Sequence, residues 1–185
     1  MKPNRTLIIL IAATVILAVG VVNRHLLFGY RWEKFDSPDG KFSVQLPGKT
    51  ESSDSQTPLS DVTTSRAIWV MSSPERWVNY SCVTTDYQDR SDPGEAQTEA
   101  TLDSYRDGVL TKASVRGVAV HERRLSIQGH PAREVQADLI NDPGSSLDMR
   151  IVLAGTRVYY LRVFTTRHAR DEKTIQRFFD SFKFD

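Results

Sequence analysis

Residues Leu7 to Val22 form an uncharged, almost wholly apolar run that nothing later in the chain resembles. Lys2 and Arg5 stand in front of it, and Asn23, Arg24 and His25 close it. A segment that is greasy on every side has no polar face to offer water, so it does not fit a surface helix of a globular domain. A short basic head followed by such a run directs the chain behind it across a membrane. The chain is therefore expected to divide into residues 1–28, a cytoplasmic stub with a membrane segment, and residues 29–185, an extracytoplasmic body.

At 1.5 Å per residue the run spans roughly 24 Å, a little short for a hydrocarbon core of about 30 Å. It is also a little long for the apolar region of a signal peptide. As an uncleaved anchor, the helix would extend through Phe28, with Arg24 snorkelling to the interface and Tyr30 and Trp32 marking an aromatic belt. As a cleaved signal, Ala18 and Gly20 would supply the small residues before the cut, but Val19-Gly20 departs from the A-x-A pattern. The anchor is the better match. It predicts a single-pass inner-membrane protein with its C-terminal domain in the periplasm or outside the cell; secretion after cleavage is the alternative.

The body, about 155 residues, has the size of one domain and can bury a sizeable core. Its charges give no basic stripe, since 24 Lys and Arg nearly cancel 23 Asp and Glu across the chain and the two signs alternate. That balance argues against a dedicated nucleic-acid binder. Cys82 is the only cysteine, so no intramolecular disulfide can assist the fold.

Periodicity supplies the elements. Trp32 to Phe35 reads as a strand, Ser37-Pro38-Asp39-Gly40 as a turn, and Phe42, Val44 and Leu46 as one face of a second strand stopped by Pro47-Gly48. Residues 49–60 predict a loop or a loosely paired edge. Val62–Met71 and Trp77–Tyr87 predict a hairpin joined through Ser72-Ser73-Pro74-Glu75. Asp92, Pro93 and Glu95 then have the pattern of a helix start, with Asp92 as N-cap. Leu102, Tyr105, Val109 and Ala113 continue at helical spacing, and Gly117 is expected to end the helix. A strand meander follows from Val118 to Phe164, and Ile175, Phe178, Phe179 and Phe182 mark a second amphipathic helix. Strands segregated from helices in this way predict an α+β fold, an antiparallel β-sheet flanked by helices.

The opening segment Phe35-Asp36-Ser37-Pro38-Asp39-Gly40-Lys41-Phe42-Ser43-Val44-Gln45-Leu46-Pro47-Gly48 resembles the first hairpin of bacterial extracytoplasmic domains of the PsbP-like (Mog1p/PsbP) superfamily. Val158-Tyr159-Tyr160-Leu161 and the tail Phe178-Phe179-Asp180-Ser181-Phe182 are similar to the closing strand and helix of such domains. The resemblance covers most of residues 32–184. It implies an α/β sandwich on a central antiparallel sheet. Because the superfamily includes photosystem accessory proteins and a nuclear-transport GTPase cofactor, it implies a binding scaffold and no catalytic motif.

Candidate chemistry is sparse. Cys82 could serve as a nucleophile, but its place between Tyr80 and Thr84 on one strand alternation suits a small core residue. His25, His121, His130 and His168 share no metal-ligand spacing. Asp86, Asp89, Asp92 and Glu95 form an acidic run without the alternation of a calcium loop. A solvated loop leading into a helix N-terminus explains that run, with a weak cation site as the alternative. Arg123, Arg124, Arg133, Arg150, Arg157 and Arg162 recur on the late strands. They could form a stripe for an anionic ligand, or pair across strands with Glu122, Glu134, Asp138 and Asp148. Trp69 and Trp77 could be core aromatics or could line a groove.

No catalytic residue, cofactor-binding residue, metal ligand or cofactor is assigned. The expected function is a non-catalytic accessory or binding module, tethered through residues 7–22 beside an envelope protein complex or a small ligand. One alternative is a hydrolase or metal-dependent enzyme with a site assembled from distant residues. The other is a structural envelope component that assembles through a sheet edge.

Overall fold

The computed structural model describes residues 30–58, 64–75, 77–87, 95–112 and 116–185. The apolar run Leu7–Val22, the proposed cap at Asp92 and Pro93, and Asp89 and Ala113 lie outside the described residues. Among the described residues no helix is long and apolar enough to cross a membrane.

From Trp32 the chain forms a compact unit of two sheets and two helices. In order, the elements are β1 (Trp32–Asp36), β2 (Phe42–Pro47), β3 (Thr50–Pro58), β4 (Thr64–Glu75), β5 (Val78–Tyr87) and α1 (Glu95–Leu110). Then come β6 (Gly117–Ile127), β7 (His130–Leu139), β8 (Ser145–Ala154), β9 (Arg157–Thr166), α2 (Glu172–Asp180) and β10 (Lys183–Phe184). Seven strands make the main sheet in the order β3-β4-β5-β9-β8-β7-β6, and β1-β2-β10 form a small second sheet. All pairings are antiparallel. The expected α+β architecture is present, as mostly antiparallel sheet with two helices.

The main sheet buries both faces, which explains why β8 is buried along almost its whole length. Leu147, Met149, Ile151 and Leu153 point toward α1 and meet Leu102, Val109 and Leu110. Val152 on the opposite alternation joins Phe42, Val44, Leu46, Phe178 and Phe182 beneath the small sheet and α2. Strand periodicity alone puts the two sets on opposite faces. Asp171 caps α2 by accepting from the Lys173 amide at 3.0 Å, and Ile175, Phe178 and Phe179 form its buried stripe.

Three expectations change or sharpen in detail. Ser72–Glu75 does not connect the β4–β5 hairpin but belongs to β4, with an irregularity between Ser72 and Glu75 where Pro74 is accommodated. Of the two forms expected for residues 49–60, the paired edge is present over Thr50–Pro58, with a continuous nine-residue ladder to β4. Gly117 opens β6 and does not end the helix, which stops at Leu110. A Cβ at Gly117 would lie 3.3 Å from the Asp138 carbonyl oxygen and 3.3 Å from Leu110 Cδ2, so close packing favours the glycine.

Candidate functional site

Helix α1 lies over β6, β7 and β8, and this off-centre position creates the site. Its buried residues hold it against one half of the sheet. Its flank, carrying Ser104 and Gly108 one i, i+4 step apart, and Lys112 just beyond its C-terminal end overlook β5 and β9 instead. There the register sets Val83 opposite Tyr160 and Ser81 opposite Arg162. Val83, Thr85, Tyr160 and Arg162 therefore line a half-open groove of about 330 Å³ together with the helix flank. That volume is at the lower end of the roughly 300–1,000 Å³ typical of ligand sites. Tyr105 closes one side, its ring edge-on to Tyr160 at 5.7 Å between centroids and 85°.

Two features of this groove run against ordinary packing. Gly108 lies in the interior of α1, where glycine costs about 1 kcal/mol relative to alanine. A Cβ there would meet no atom within 4 Å, so no neighbour demands the glycine. The second feature is Arg162. Its Nε is buried without a hydrogen-bond partner, and no carboxylate among the described residues pairs with its guanidinium. Burial pushes its pKa below the ordinary arginine value, and the opposing influence of Cys82 and Tyr160 does not make up for the lost hydration.

The other five arginines of the predicted stripe are spoken for. Arg123 bonds Glu134 at 2.7 Å, and Arg150 reaches Glu134 at 2.5 Å and Asp180 at 3.2 Å while lying over the Phe179 ring. Arg133, almost fully buried, pairs with Glu99 and Asp103 of α1, and Arg124 approaches Glu99 at 3.3 Å. Arg157 bridges Asp39 at 2.5 Å and Asp86 at 2.7 Å. Five of the six thus meet an acid, but only Arg123, Arg150 and Arg133, the last 3.3 Å from Glu122, meet one of the acids expected across the strands. Arg162 stands apart.

The remaining candidates are dispersed. Cys82 is fully buried on the face opposite Arg162, and burial pushes its thiol far above the usual range. His130 packs against the Phe184 ring at 4.6 Å. His121 edges a hollow of about 120 Å³ near Glu134, Asp148 and Arg170, whose charges already pair with one another or with neighbours. His168 is exposed, and His25 lies outside the described residues. Asp86 accepts from Arg157 and from Thr156 at 3.1 Å, so an internal cation already occupies its carboxylate. Among the described residues no group of three or more His, Cys, Asp or Glu could hold a metal ion. Trp77, 59% exposed, lines a separate hollow of about 200 Å³ at one end of the sheet, and Trp69 is half-buried in β4.

Sequence reasoning named Arg162 but not the groove around it. The available signal was Gly108, a glycine inside a helical period, although Asp107-Gly108 reads locally as a turn pair. Chemically, the groove offers one sheltered cation, a rim amine from Lys112, two tyrosine rings and apolar walls at Val83 and Val109. It is suited to holding an anion.

No family model matches the chain, and no curated protein matches it. Among solved structures, the solution structure of cyanobacterial PsbP (CyanoP) from Synechocystis sp. PCC 6803 is similar in fold. The TM-score is 0.54 at 10% sequence identity, over 83% of this chain and 92% of that one. Residues 32–185 thus carry a PsbP-like fold.

Proposed function

We propose that this protein is a non-catalytic binding module, held at the outer face of a membrane by residues 7–22, that takes a ligand in the groove between α1 and the β5–β9 floor. The PsbP-like extracytoplasmic domains that the sequence resembles fit this reading. The observation that carries it is the groove, where an interior helix glycine keeps space open above an arginine that has no carboxylate partner among the described residues. Natural sequences tend to break local rules at functional sites. Assembly through a sheet edge has less support. The outer strand β6 carries an irregularity between Ala119 and His121 and the charged run Glu122–Arg124, while β3 is polar and ends in Pro58. Those devices discourage edge pairing.

The test is to purify the full chain from its native membranes and identify by mass spectrometry the small molecules that co-elute. A molecule retained by the wild type and lost from Gly108→Leu, whose side chain would fill the groove, is the expected result. The same recovery from both would overturn the groove as the binding site. Deleting residues 1–28 should release the protein from membranes, and a mature N-terminus at Val21 would overturn the tether.

A further inference from the structure

We infer that the groove beside α1 takes a small carboxylate, its charge received by Arg162 and its apolar or aromatic body lying against Tyr105 and Tyr160. This rests on the groove being a binding site and adds the chemical class of what it binds.

Arg162 holds the only sheltered charge among the described lining residues, so the site calls for one anionic group at its floor. A guanidinium presents a planar fork that matches a carboxylate in two parallel hydrogen bonds. Three acids on α1 are engaged elsewhere and do not compete for it. Glu99 and Asp103 are engaged by Arg133, and Asp107 by Arg106 at 2.8 Å. The wall adds the hydroxyls of Thr85 and Ser104 and, between them, an apolar and aromatic surface of Val83, Val109 and the paired tyrosine rings. Such walls reward a ligand with a flat or aliphatic body and give an inorganic anion nothing to pack on. Lys112 stands exposed at the rim, where its amine adds attraction at long range but little at contact. Gly108 leaves the opening through which the body enters.

The experiment is isothermal titration of the purified full chain with 3-phenylpropionate, its neutral amide and inorganic phosphate. Wild type, Arg162→Gln and Gly108→Leu are compared, each checked by thermal melting for a native fold. The acid should bind wild type at least about tenfold more tightly than the amide, the ratio expected for one charge-assisted pair. Arg162→Gln should bring that ratio close to one, and Gly108→Leu should lose both ligands. If Arg162→Gln fails to fold, Arg162→Lys, which keeps the charge and loses the fork, should lower the ratio instead. Equal binding of acid and amide, or phosphate binding as tightly as the acid, overturns the carboxylate assignment and leaves the groove reading intact. Unchanged binding in Gly108→Leu, or no binding of any probe to wild type, overturns both.

Discussion

Arg157→Met removes the cation that ties the turn before β2 to the main sheet. Arg157 is 5% exposed at its side chain, Asp39 6% and Asp86 11%, so the three charges are largely out of water. Breaking a buried pair by deleting one member costs about 3–5 kcal/mol, because the remaining charge is stranded. Here both carboxylates keep some support. Asp39 still accepts from the Ser37 hydroxyl at 2.8 Å and lies 3.9 Å from Arg66, and Asp86 still accepts from Thr156 with Lys41 at 3.7 Å. The loss should therefore sit at the lower end, about 3 kcal/mol, or roughly 6–12 °C in Tm for a domain of this size.

The pH dependence separates this account from simple loss of packing. Burial opposes ionisation of Asp39 and Asp86, but their bonds to Arg157 outweigh it and hold both carboxyls below the ordinary value. A depressed carboxyl contributes stability above its unfolded pKa, near 3.9, and loses it as pH falls through the folded value. The difference between wild type and Arg157→Met should be full at neutral pH and should narrow below about pH 4. Urea unfolding followed by circular dichroism at both pH values measures it. Adding Asp39→Asn and Asp86→Asn to Arg157→Met should recover part of the loss. A difference under about 1 kcal/mol at neutral pH, or one equally large in acid, would refute the reasoning.

Phe178→Ala should cost about 3–5 kcal/mol, measured by the same unfolding assay. The ring is fully buried and meets Tyr80 edge-on at 5.4 Å, where the underside of the sheet, α2 and the small sheet converge. Cys82 should resist a maleimide in the native chain and react on unfolding, as followed by mass spectrometry, because burial both excludes the reagent and suppresses the thiolate.

How far the sequence discloses this molecule depends on how local each cause is. The Ser37–Gly40 turn is written in its own residues. Ser37 accepts from the Lys41 and Phe42 amides at 3.0 Å each, and Gly40 takes a positive φ of 67°. The α2 stripe and its Asp171 cap are equally local. By contrast, β3 has almost no apolar residue, and its strand state comes from a nine-residue ladder with β4 that no local periodicity announces. Gly117 misled for the same reason. A glycine after a helical stripe ordinarily marks a helix end, whereas this one is favoured by the close approach of Asp138 and Leu110, which only the fold brings together. The arginines divide likewise: that most would be paired was readable from alternation, but that α1 would take Arg133 and a turn would take Arg157 was not.

The groove is the case in which both halves of a site were visible and their meaning was not. Gly108 and Arg162 are 54 positions apart, and each is unremarkable alone, since isolated helix glycines and strand arginines are common. Only the lateral placement of α1, set by Leu102, Val109 and Leu110 against β8, brings the bare helix flank over a guanidinium that no described carboxylate pairs. An alanine at 108 would strengthen the helix by about 1 kcal/mol, and an acid beside residue 162 would satisfy the cation. Position 108 is glycine and no described carboxylate pairs with Arg162, although the same helix supplies acids to Arg133 and Arg106 a turn or two away. Two independent costs incurred at one place, each with a simple local remedy left unused, are better explained by something that occupies the groove than by the requirements of folding.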